Sequence, residues 1–154
     1  MNNETLKFKL STLTEVDVMA WIETKVDQLY LEAKVLVDDY WRRLKNEQKN
    51  HERSEQGRIG VRLRRREKCL SFSIEWFRMA WIRQNGQTKT IAQYVRKGAG
   101  YHYPLGRLLQ GEPEWEAVLV EELETEFADI RKQIDLLGKI RDSVQSYCKS
   151  MKSN

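Results

Sequence analysis

The chain is expected to fold as α+β: two long antiparallel helices, coiled-coil-like, flanking a small antiparallel β-sheet of three to four strands. Three observations predict this. Residues 13–52 contain no glycine or proline and carry one apolar stripe. Residues 112–151 carry a second stripe of similar length. Between them, residues 57–97 alternate apolar and basic side chains with a period of two and contain an Asn-Gly pair, the strongest short hairpin signal. At 154 residues the chain has the size of one domain able to bury a core, and residues 1–154 are read as such.

Each element has its own warrant. Leu6, Phe8 and Leu10 alternate with two lysines, so residues 1–12 are expected to hold a short strand. Thr12 followed by Glu15 reads as a capping box. Ile22, Val26, Leu29, Ala33, Leu36, Tyr40 and Leu44 then step by three or four along a helix over 13–52, about 55 Å long at 1.5 Å per residue. In the basic meander over 57–97, Ile59, Val61 and Leu63 face one way while Arg58, Arg62, Arg64 and Arg66 face the other. Leu70, Phe72, Ile74 and Trp76 continue an apolar face, and Phe77, Met79 and Trp81 take the opposite phase. That change predicts a bulge near residues 75–77 or burial on both sides. Asn85-Gly86 returns the strand through Thr88 to Arg96. Residues 98–111 form a Gly/Tyr loop. Pro113 suits the first turn of the C-terminal helix over 112–151, and Glu112, Glu114 and Glu116 suit its positive end. Leu119, Leu123, Phe127, Ile130, Ile134, Leu137, Val144 and Met151 supply its stripe, which can pair within the chain or between subunits.

The net charge of +4 conceals an asymmetry. Residues 53–107 hold 13 Lys/Arg against three Asp/Glu, whereas both flanks are net acidic. Five arginines fall within the nine positions 58–66. Arginines two apart on a strand project to one side about 6.6–6.8 Å from each other, and their planar forks of donors suit a phosphate backbone. Lys68, Arg83, Lys89, Arg96 and Lys97 lie in the same region and widen the patch. Solubilising a sheet edge is the plainer reading of such charge, but edge protection seldom calls for so many arginines with so few acids. The charge supports nucleic acid and does not choose between a duplex and a single strand.

The stretch YVRKGAGYHYPLGR over 94–107 is a second candidate surface. Tyr101, His102 and Tyr103 could stack on bases beside Arg96 and Lys97, or could cover the end of the core. Catalysis has little support. His51 and His102 are the two histidines, so no histidine cluster holds a metal, and no P-loop spacing follows the glycines. No catalytic residue, metal ligand or cofactor is expected. Glu75 is read as a structural partner of Arg78, and the five tryptophans as core. Cys69 and Cys148 stand 79 positions apart and form neither a disulfide framework nor a metal knuckle. With no signal-peptide pattern and no apolar run of membrane-spanning length, a cytoplasmic protein away from membranes is expected.

The segments SIEWFR at 73–78 and YVRKGAGYHYP at 94–104, followed by an EWE segment opening a long helix, resemble the MobI family of mobilisation proteins. The resemblance spans about residues 30–140 and rests on motifs that are not catalytic. It implies an auxiliary factor in conjugative transfer, acting at the origin of transfer (oriT) beside a separate relaxase that makes the nick. It carries over no residue-level DNA contacts. The expectation is therefore an oriT-binding relaxosome accessory, not an enzyme, with a homodimer formed through the helices and contacts to the relaxase or other relaxosome proteins. The alternatives are a coiled-coil interaction protein whose basic sheet meets an acidic partner, and an RNA-binding regulator.

Overall fold

The computed structural model describes residues 13–152. Its elements run α1 (Glu15–Gln48), a 3₁₀ turn (Arg53–Glu55), β1 (Ile59–Arg64), β2 (Ser73–Gln84), β3 (Gln87–Tyr94), a one-turn helix α2 (Leu105–Leu108) and α3 (Glu114–Lys152). The expected mixed architecture is present, with three strands. The proposed strand at residues 1–12 lies outside the described residues.

Helix α1 begins two residues later than the Thr12 box implies. Thr14 is the N-cap: its hydroxyl accepts from the Asp17 N–H, and Asp17 returns a bond to the Thr14 N–H. Its buried stripe is Ile22, Val26, Leu29, Ala33, Val37, Tyr40 and Leu44. Val37 takes the place expected for Leu36, which is half-buried beside it. Pro113 stands just before α3, and its carbonyl accepts from the N–H groups of Glu116 and Ala117. The long helices run antiparallel within the chain. Arg43 of α1 pairs with Glu122 of α3 at 2.8 Å, while Leu13 and Val18 lie against Val144 and Tyr147 at the far end.

The strands form one antiparallel sheet in the order β1-β2-β3. Pairing is continuous, Ile59 opposite Arg78 through Arg64 opposite Ser73, then Phe77 opposite Tyr94 through Gln84 opposite Gln87. No bulge occurs near residues 75–77. The phase change reflects apolar groups on both faces of β2. On the inner face Ile59, Val61, Ile74 and Trp76 pack onto Tyr40 and Phe127 of the helix pair. On the outer face Phe77 contacts Trp41 and Tyr94, with ring centroids 6.2 and 5.4 Å away. Asn85 and Gly86 both take positive φ, 52° and 76°, which is the type I′ geometry of a two-residue hairpin.

The free edge of β1 is closed by side chains. Tyr40 Oη donates to the Ile59 carbonyl at 2.6 Å, and Trp41 Nε1 donates to the Val61 carbonyl at 3.0 Å. Glu116 Oε1 accepts from the Ile59 N–H at 3.1 Å. These bonds satisfy backbone groups that would otherwise be buried unpaired. Because β1 pairs only with residues 73–78, the rest of β2 and its partner β3 continue past it as a two-stranded ribbon over residues 79–92.

Candidate nucleic-acid interface

Alternation along the strands decides which basic residues share a surface. Arg62 and Arg64 project from β1 to the outer face, where they share the Glu75 carboxylate at 3.5 and 3.7 Å. Two guanidiniums on one carboxylate leave a positive surplus. Arg62 also lies over the Tyr94 ring, 4.0 Å from its centroid, in a cation–π arrangement. Gly60 sits between these arginines and the helices. A Cβ there would fall 2.4 Å from the Phe77 ring and 2.8 Å from Trp41, so only glycine lets the aromatic side chains close over β1.

Arg58 stands at the sheet end of this row, with Nε 3.3 Å from the Glu112 carboxylate and half its side chain exposed. Arg83 extends the outer face onto the ribbon, opposite Thr88. Arg66 and Lys68 are exposed in the β1–β2 connection, where Lys68 takes φ 65°. Arg96 is exposed just beyond β3.

The remaining candidates lie apart from this row. Lys89 pairs with Ile82 and so projects from the opposite face of the ribbon, away from the arginine row. Lys97 folds back, its ammonium donating to the carbonyls of Gly98 and Gly100. The Gly/Tyr loop mainly covers the core. Tyr103 is 7% exposed, and its ring lies under the Arg131 guanidinium. Tyr101 Oη donates to Asp135 at 2.6 Å, a bond that holds the Asp135 carboxyl below its usual range. Tyr103 is buried, Tyr101 is half-buried and His102 is exposed.

Glu75 is not the partner of Arg78, because the two project to opposite faces of β2. Arg78 instead donates to the carbonyls of Leu108 and Gln110 and lies 3.7 Å from Glu112. Arg65, on the inner side, pairs with Asp27 at 2.7 Å and ties the end of β1 to α1.

The reading of residue types missed a buried polar centre under the loop. Glu124 and Arg131 form an ion pair at 2.7 Å, with 1% and 8% of their side chains exposed. Trp76 Nε1 donates to Glu124 at 2.5 Å, the Tyr103 N–H donates at 2.8 Å, and Arg131 donates to the carbonyls of Tyr101 and Ile74. The available signal was position: Glu124 and Arg131 lie seven apart on the apolar stripe, bracketing Phe127 and Ile130.

Nor are all five tryptophans core. Trp76 is fully buried, but Trp81 is 66% and Trp21 48% exposed. Trp81 and Met79 of the ribbon form one wall of a groove of about 1410 Å³, and Trp41, His51 and Trp115 lie across it. His51 stacks flat on Trp115 with centroids 4.9 Å apart.

Among the described residues no His/Cys/Asp/Glu group could hold a metal, and no helix is long and apolar enough to cross a membrane. The family model described as MobI protein matches residues 29–145. No curated protein and no solved structure matches the chain.

Proposed function

The chain belongs to the MobI family of auxiliary mobilisation proteins, and on that premise we propose that it binds DNA at the origin of transfer as a relaxosome accessory. It marks or remodels the DNA in the cytoplasm and leaves the nick to a separate relaxase. One observation carries this reading: Arg58, Arg62, Arg64 and Arg83 share the outer face of the sheet, on which the Glu75 carboxylate is shared by two of them. Phosphates would track the guanidiniums, with Arg66, Lys68 and Arg96 along the border. Among the described residues no recognition helix lies on this face, so sequence preference would come from DNA shape and deformability.

The helix pair supplies the second half of the proposal. Trp21, Leu136 and Ile140 are 48%, 46% and 40% exposed around one groove, a surface suited to a homodimer contact.

Fluorescence anisotropy with a transfer-origin duplex and a scrambled duplex, titrated across salt, tests the DNA reading. The expected result is tighter binding to the origin duplex and an affinity that falls steeply with salt. Equal, salt-insensitive binding to both would overturn it.

A further inference from the structure

Nucleic acid on the outer face has two kinds of group to place, charged phosphates and neutral bases, and the surface offers two matching environments. The arginine row is net positive. The groove beside it is lined by Lys45, Arg53 and Arg58 against Glu55, Glu112 and Glu114, so its formal charges balance. Trp41, Trp81 and Trp115 stand among its lining side chains. At about 1410 Å³ it exceeds the roughly 300–1,000 Å³ of a small-molecule site, and it is an open trough suited to a stretch of polymer. The Trp81 side chain makes no hydrogen bond, ion pair or ring contact with any described residue, whereas the indoles of Trp41 and Trp115 donate to the carbonyls of Val61 and Glu55.

We propose that this groove takes unpaired bases of a single DNA strand, stacked against Trp81, while the strand's phosphates follow Arg58, Arg62 and Arg64. The inference rests on the DNA-binding reading and narrows it. In a duplex the bases are paired and stacked inside two phosphate backbones and cannot enter a trough beside the row. A locally opened strand exposes its π-faces, and base–aromatic stacking tolerates any sequence. Arg58, at the junction of row and groove, marks where backbone and base part company. Such a site would hold DNA open for an enzyme that cuts one strand.

The test uses labelled oligothymidylate, the same strand annealed to oligodeoxyadenylate, and the origin duplex, each against the full chain and against Trp81→Ala and Trp81→Phe. Trp81 is largely exposed, so both variants should melt as the parent does, which a thermal scan checks. The expected result is tighter binding of the unpaired strand than of its duplex. Trp81→Ala should weaken single-strand binding roughly 5- to 150-fold, the loss of one stack. Trp81→Phe should retain most of the affinity, and the origin duplex should bind both variants alike. Equal losses on single strand and duplex, or no loss with Trp81→Ala, would overturn the inference. Origin duplex bound and single strand ignored would also overturn it, leaving the outer-face reading standing; no binding to either would remove both. Loss of relaxase binding in Trp81→Ala, with single-strand affinity unchanged, would assign the groove to a protein segment and likewise overturn it.

Discussion

Glu112 and Glu116 stand one turn apart where α3 begins, and both side chains are buried. Their spacing suggests carboxylates answering the helix dipole, but the structure uses them as acceptors for the start of β1. Glu116 takes the Ile59 N–H, and Glu112 takes the Arg58 N–H at 3.2 Å. Sequence pattern conceals this use, because which backbone donors lack a partner is known only once the strand edge is packed. Burial, then the neighbouring Glu112 charge, pushes the Glu116 carboxyl from its ordinary 4.5 up to about 8. Between those two values the native chain holds a proton that the unfolded chain has released. The free energy of unfolding should therefore fall as pH rises from about 4.5 to about 8, and this contribution should level off above. Glu116→Gln keeps an acceptor for Ile59 and cannot ionise. Urea melts of the two proteins across that range should show a clearly flatter profile for the variant, and parallel profiles would show that Glu116 is not the group responsible.

At the scale of elements, what was legible followed from local periodicity. The apolar stripes located both long helices, and Asn85-Gly86 located the hairpin, because each signal lies within a few residues of the geometry it dictates. The arginine row was legible for the same reason: Arg62 and Arg64 share a side by the pleat alone. Lys89 was misplaced because its face depends on register across the hairpin. Trp81 is exposed because β1 ends opposite Arg78 and leaves that part of β2 uncovered, and Tyr103 is buried because the Glu124–Arg131 pair holds it, neither of which local pattern encodes. Two predictions belong here. Arg62→Ala with Arg64→Ala should keep the fold, since both side chains are about half exposed. It should flatten the dependence of log affinity on log salt by about 0.9 for each duplex phosphate that the variant no longer neutralises; an unchanged slope would remove the row from the interface. Ile130, 1% exposed on the α3 seam, should cost about 2–5 kcal/mol on truncation to Ala. Chemical denaturation measures that destabilisation, and a value near zero would contradict the packing of the two helices.

The molecule as a whole is divided between its two ends. The sheet and its ribbon cover the half of the helix pair containing Tyr40 and Phe127, and residues 57–97 hold the excess of positive charge, 11 Lys/Arg against two Asp/Glu. The other half, α1 over 15–28 and α3 over 133–152, meets the rest of the described chain through pairs such as Arg65–Asp27 and Tyr101–Asp135, and it exposes Trp21, Leu136 and Ile140 together with Tyr147 and Met151. The stripes required helix pairing, and the structure meets that requirement within one chain along the seam. The residues left outside the seam are what a second copy could cover. Helix faces roughly 20–30 Å long can supply a standard interface of about 800 Å² per partner, and a twofold contact would pair each copy's Trp21 patch with the other's. Trp21→Glu with Ile140→Glu places charges where that contact would close. Both residues already meet solvent in the single chain, so melting should change little, whereas sedimentation velocity should show the parent as a dimer and the variant as a monomer. DNA binding should weaken with it, because separating the copies removes the gain from two linked basic faces on one site. A monomeric parent at micromolar concentration would end the homodimer reading, and a variant that stays dimeric would move the contact to another surface.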